Sequence, residues 1–208
     1  LSKSELDSLQ LHWAQTRFQQ LQEHIPALDA LAEKQGVKII TDFETLATIL
    51  FTHQVYKNYP FAFIERKLFT ELTRWLNKLT AHDLSSLDMR GVNTIDEWLT
   101  RLDEAGMFVF HSTGTSGKLS FFPRSQTEKE AWVEGTYTFL EAFMPGIRNL
   151  HLPVFWPAYR SGRQASMRLI THFGPALAGS EAEYHSLFNA PMSADFMSLA
   201  MRMKHAQE

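Results

Sequence analysis

Met107-Phe108-Val109-Phe110-His111-Ser112-Thr113-Gly114-Thr115-Ser116-Gly117-Lys118-Leu119-Ser120-Phe121-Phe122 is where the chain changes character. Met107 to Phe110 is a short apolar block suited to a buried strand. Leu119 to Phe122 is a second, and small residues join the two. Ser125 and Glu128 then sit at capping-box spacing, ahead of Trp132, Thr136, Phe139, Leu140 and Phe143 on one helical face. Pro145-Gly146 ends that helix. Downstream, the patterns predict a strand over Leu150 to Phe155 and helices over 162–173 and 194–204.

Upstream of Met107 the chain reads as helical. Apolar residues recur irregularly from Leu11 to Leu31, and Pro26 should break that run. Thr41 and Glu44 fit a capping box for a helix over 42–56, and Tyr59-Pro60 interrupts it. Leu68, Leu72, Trp75, Leu76 and Leu79 lie on one face of a further helix. Thr94 and Glu97 repeat the capping pattern ahead of Ile95, Trp98, Leu99 and Leu102, with Gly106 as the stop. Tryptophans 75, 98 and 132 are expected in the core. The expected fold class is α/β: a mainly helical segment 1–106, then 107–208 as the start of an α/β core, with part of a β-sheet and flanking helices in one incomplete domain.

The loop 112–118 holds two glycines, four hydroxyl residues and a lysine. Glycine lets backbone approach a phosphate closely, hydroxyl and main-chain N–H groups donate to its oxygens, and lysine adds a mobile charge. Such a segment can cradle a polyphosphate. A Walker A loop would need glycine where Ser112 stands and a hydroxyl residue where Leu119 stands. A serine-hydrolase elbow lacks its spacer between Thr115-Ser116 and Gly117.

Ser112-Thr113-Gly114-Thr115-Ser116-Gly117-Lys118 resembles the phosphate-binding signature of the acyl and aryl adenylate-forming (AMP-binding) superfamily, [ST]-S-G-[ST]-T-G-x-P-K. The flanks are similar too, since that family holds the loop between two strands and follows it with a helix. Leu119 stands where many members have proline and Ser120 where many have lysine. Those departures look like the branch of phenylacetate-CoA ligases and the acyl-protein synthetases of bacterial luminescence.

The resemblance implies a nucleotide-binding core and an ATP-dependent ligase. In that family a carboxylic acid attacks the α-phosphorus, giving acyl-AMP and pyrophosphate with Mg2+ as counter-ion, before transfer to coenzyme A or a protein thiol. Ser112, Thr113, Thr115 and Ser116 would donate to phosphate, Gly114 and Gly117 would allow the approach, and Lys118 would add charge. The family's later acidic motif and lysine-bearing lid are not found. Gly179-Ser180-Glu181 resembles the acidic motif faintly but follows the loop too soon. The opening Leu1, and an apolar helical face still running near Glu208, lead us to expect an N-terminal fragment, inactive alone. The competing expectation is a non-catalytic helical interaction domain whose glycine loop is only a turn.

A net charge of -3 over 208 residues gives no basic field for nucleic acid. With no cysteine, disulfides and thiolate metal sites are excluded. The N-terminus lacks the pattern of a signal peptide, and no apolar run approaches the ~20 residues of a membrane span. A cytoplasmic location is the default expectation. The histidines form no His-x-His or His-Glu-x-x-His motif that would bind zinc.

Single residues carry further expectations. Arg124 either supplies the charge Ser120 lacks or faces solvent ahead of a helix. Arg160, Arg163 and Arg168 read as a solvated basic face that could meet an anionic substrate. Phe155-Trp156-Pro157 either lines an acyl pocket or packs in the core. His111 either touches substrate or is packed, and Asp83 caps a turn.

Overall fold

The computed structural model describes residues 1–114 and 117–205. The chain is α/β and divides into two compact units, residues 1–60 with 70–88, and residues 61–69 with 89–208. No helix among the described residues is long and apolar enough to cross a membrane.

The first unit is helical. Helix α1 (Lys3–Leu21) opens on a capping box in which Ser2 and Glu5 satisfy each other's backbone N–H. A single 3-10 turn then leads to α2 (Pro26–Gln35), so Pro26 starts the new helix at a position where its missing N–H costs nothing. Helix α3 (Phe43–Ile49) is shorter than its apolar pattern suggests, and its cap is Asp42 instead of Thr41. The Asp42 carboxylate accepts the Thr45 N–H at 2.7 Å, while the Thr41 hydroxyl merely donates to Asp42. Phe18, Ala32, Ile40 and Ile49 form one core cluster. Along α5 (Phe69–Asn77), Leu72 and Leu76 are fully buried, and Trp75 is half-buried with its ring edge-on to Tyr59. Asp83 caps a turn by accepting the Ser85 N–H.

The second unit contains the short α4 (Ala62–Glu65) and then α6 (Ile95–Glu104), whose Ile95, Trp98, Leu99 and Leu102 are all buried on one face. Strand β1 (Phe108–His111) pairs antiparallel with β2 (Phe121–Arg124), in a register running from Phe108 opposite Arg124 to His111 opposite Phe121. Strand β2 begins two residues later than the apolar block, because Leu119 leaves the ladder to pack beneath the loop. Helix α7 (Gln126–Phe143) starts at the expected Ser125–Glu128 capping box, and Trp132 on it is half-buried, with its ring against Phe110.

A βαβ unit follows. Strand β3 (Val154–Gly162), α8 (Ala165–Ala178) and the parallel strand β4 (Tyr184–Met192) are succeeded by α9 (Ala194–His205). Strand β3 lies later than the apolar run at Leu150, and β4 is a strand that the sequence pattern does not announce. The β3–β4 register slips between Trp156 and Tyr159, around Pro157, which has no N–H to give the ladder. Helix α8 approaches β4 so closely that a Cβ on Gly174 would stand 2.6 Å from the Tyr184 ring. That ring is pinned, since its hydroxyl donates to the Arg160 carbonyl at 2.8 Å and the Arg160 guanidinium covers its face.

Gly174→Ala would ordinarily stabilise a helix by up to ~1 kcal/mol. Here we expect a net loss of about 1–3 kcal/mol from overpacking, read as a lower urea midpoint. A stabilised variant would show that the Tyr184 ring yields.

Candidate functional site

The loop joining β1 to β2 is organised around one hydroxyl. Ser112 continues the pairing beyond the ladder, its N–H donating to the Ser120 carbonyl at 3.0 Å. The Ser112 Oγ accepts the Ser120 N–H at 2.9 Å and the Gly114 N–H at 3.3 Å. A serine hydroxyl has two acceptor lone pairs and one proton. With both lone pairs engaged, only the donor remains, and among the described residues nothing accepts it. Among the described residues, Ser112 is therefore left with its proton to give.

Beyond Ser112 the chain turns on glycine. Gly114 and Gly117 have φ of +71° and +79°, the left-handed region that other residues enter at a cost, and the Gly117 N–H donates to the Gly114 carbonyl at 2.8 Å. Gly114 is also confined sterically, because a Cβ there would stand 2.9 Å from the Leu119 side chain. Gly114 and Leu119 are thus the buried floor of the loop, while Thr113 is exposed and Gly117 and Lys118 are half-buried. Thr115 and Ser116, the other two expected phosphate donors, lie outside the described residues.

His111, at the base of the loop, is packed, with 1% of its surface exposed. Its Nδ1 lies 2.9 Å from the Ser112 carbonyl, which can only accept, so the proton resides on Nδ1. Burial lowers the pKa of the imidazole, outweighing the hydrogen bond to Ser112. The neutral ring therefore holds a buried Nε2 lone pair with no partner among the described residues. The His111 N–H donates to the Arg163 carbonyl at 3.2 Å, and His111 bridges to Gln164, so the end of β3 runs beside the start of the loop.

The other singled-out residues have structural explanations. Arg124 lies opposite Phe108, at the end of the hairpin away from the loop, and its guanidinium bonds the carbonyl of the neighbouring Pro123. It is half-buried, so part of it meets solvent, and it does not sit beside Ser120. Three residues of strand, about 10 Å, separate the two ends of the ladder. The three arginines are half-buried and each is paired with an acid. Arg163 and Arg168 share Asp103, one to each carboxylate oxygen at 2.9 and 2.7 Å, while Arg160 pairs with Glu181. Those pairings span 60 and 65 residues for Asp103, so no local pattern could have displayed them. Gly179-Ser180-Glu181 is a helix-ending turn: Gly179 is the left-handed cap of α8, and the Ser180 hydroxyl accepts the Glu183 N–H. Phe155 is exposed on β3, and Trp156 beside it is half-buried, its indole N–H buried without a partner among the described residues.

A reciprocal cap joins the starts of α6 and α9. Asp195 at the start of α9 accepts the N–H groups of Ile95 and Asp96, while Asp96 accepts those of Ala194 and Asp195 together with the Ser193 hydroxyl. Sequence reasoning passed over both aspartates, although an acid in the first turn of each helix was a visible signal.

No protein-family model matches the chain, and neither a curated protein nor a solved structure matches it significantly.

Proposed function

We propose that the β1–β2 loop grips the phosphates of ATP, and that the chain forms part of an adenylate-forming ligase activating a carboxylic acid as acyl-AMP. The observation that carries this reading is the state of Ser112. Its lone pairs are consumed inside the loop and, among the described residues, nothing accepts its proton, the polarity an anion requires. The left-handed Gly114 and Gly117 add turns that carry no side chain and so leave room for a phosphate, while their own N–H groups are spent on the Ser112 Oγ and the Gly114 carbonyl. The antiparallel hairpin and the capped α7 have the order that the resemblance implies.

Magnesium would arrive with the nucleotide and neutralise its charge. The work of the chain is then positioning: Ser112 and Thr113 donate from one arm of the loop, and Lys118 brings charge from the other. Thr115 and Ser116 complete the proposed donor set. A carboxylate oxygen bonds to the α-phosphorus as pyrophosphate departs, and the thiol of coenzyme A or of a protein later takes the acyl carbon, breaking its bond to the phosphate oxygen and releasing AMP.

The test is ATP–pyrophosphate exchange across a panel of carboxylic acids, run on the protein from its full reading frame beside Gly117→Val. A branched residue at φ of +79° would force the bend open and crowd the phosphates. We expect exchange to fall about a hundredfold or more, the scale of losing a preorganised donor at an anionic transition state. Undiminished exchange in the variant would remove the loop from the reaction. ATP binding without carboxylate-dependent exchange would instead mark another class of nucleotide enzyme.

A further inference from the structure

Arg160, Arg163 and Arg168, which follow Pro157, and Lys129 on α7 lie outside the loop. Two of those arginines and Lys129 meet in an open cleft of about 360 Å³, lined also by Asp103, Thr171 and His172. None of the described loop residues lines it. It runs from Phe108, where Lys129 and Arg168 lie over the ring, to Arg163, whose carbonyl takes the His111 N–H.

The charges of this cleft do not balance. Asp103 is the single acid lining it, and each of its oxygens is held by a different guanidinium, Oδ1 by Arg168 and Oδ2 by Arg163. One carboxylate between two guanidiniums leaves one positive charge over. Lys129 supplies a second: its ammonium rests 4.1 Å from the centre of the Phe108 ring and makes no ion pair among the described residues. The Arg168 guanidinium lies 5.8 Å from the centre of the same ring, so one aromatic group is shared by two cations. His172 adds no charge at neutral pH, since burial and then the nearby Lys129 lower its pKa. The Nε of Arg168 is buried and has no partner among the described residues, a donor that a native interior seldom leaves idle.

Two excess positive charges in a half-buried cleft repel each other more strongly than they would in water. The chain as a whole is negative, so this is a local feature and not a spill-over of net charge. Planar guanidiniums and a mobile ammonium are the donors that phosphate oxygens select. A cleft of this size takes a small molecule and not a polyanion.

We propose that this cleft is a second anion site, independent of the loop, which binds a phosphate dianion, free or as the terminal group of a small metabolite. Lys129 and Arg168 are its principal donors, and Arg163 holds Asp103 in place so that the acid neutralises part of the charge without closing the cleft.

Isothermal titration of the chain with inorganic phosphate at low ionic strength tests the proposal, with Lys129→Gln, Lys38→Gln and Gly117→Val beside it. Lys129 makes no ion pair among the described residues, so its replacement strands no acid among them. Lys38 is exposed on the first unit and controls for net charge. We expect saturable binding at one site, weakened about tenfold or more by Lys129→Gln and unchanged in the other two variants. A phosphomonoester binding as tightly as inorganic phosphate would assign the terminal group of a metabolite, and a weaker one free phosphate. Absence of saturable binding, or equal weakening by Lys38→Gln, overturns the proposal. Loss confined to Gly117→Val moves the phosphate to the loop and equally overturns it. Acetate binding as tightly as phosphate would refute the dianion.

Discussion

Trp98→Ala should cost about 3–5 kcal/mol, the range for deleting a large aromatic from a closed core. Trp98 has no exposed surface; its ring stacks near Phe69 and meets Phe121 edge-on at 5.0 Å. Phe121 opens β2 and pairs with His111, one position beyond the Ser120 N–H that fills a lone pair of Ser112. The cavity would therefore lie directly beneath the neck of the candidate phosphate loop. Two readouts check this: a lower urea midpoint with unchanged slope, and faster hydrogen exchange at the Ser120 amide. Trp13→Ala provides the contrast, because Trp13 on α1 is 57% exposed and its loss should stay within about 0.5 kcal/mol. If Trp98→Ala lost under 1 kcal/mol, or left Ser120 protected, α6 would not be the support of the hairpin.

Support of that kind was legible in the sequence because it is local. A capping box and an apolar stripe lie within one helix, so Thr94, Ile95, Trp98, Leu99 and Leu102 announce α6, and Ser125 and Glu128 announce α7. The bend at Gly114 and Gly117 was likewise written in its composition. What the sequence hid was pairing at a distance. Strand β4 carries Asn189 and Pro191 and is largely exposed, so it shows neither alternation nor an apolar run, and only β3 and α8 make it a strand. Strand β3 itself ran on through Pro157, Arg160 and Gly162, past the apolar block that suggested it, because tertiary pairing outweighs intrinsic preference. The loop shows the same division: its residue types were visible, but the role of Ser112 as organiser depends on Ser120 returning across the hairpin.

Asp96→Ala should be the most damaging loss of a polar side chain, at about 3 kcal/mol, from a missing helix cap together with unsatisfied donors. The first turns of α6 and α9 leave no slack. In α6 the Ile95 and Asp96 N–H groups go to Asp195 and that of Glu97 goes to Thr94. In α9 those of Ala194 and Asp195 go to Asp96 and that of Phe196 goes to the Ser193 hydroxyl. Removing Asp96 strands two amides and a hydroxyl, and withdraws a negative charge from the positive end of α9. The two acids nevertheless respond oppositely to pH. Burial raises the pKa of Asp96, but hydrogen bonds from Ser193, Ala194 and Asp195 outweigh it and leave the carboxyl below the ordinary range. Burial first, and then the charge of Asp96, hold Asp195 above that range despite its own hydrogen bonds. A depressed acid contributes stability that is complete at neutral pH and is lost as pH falls through its folded-state value. The deficit of Asp96→Ala relative to wild type should therefore shrink once pH drops below about 4. A raised acid contributes in the protonated form and loses that contribution as pH rises through its folded-state value, so the deficit of Asp195→Ala should grow on acidification. Urea titrations of both variants at neutral pH and near pH 3.5 should thus give deficits that move in opposite directions. Parallel profiles would mean that the two carboxylates titrate as equals, and that the asymmetry of the reciprocal cap has no energetic weight.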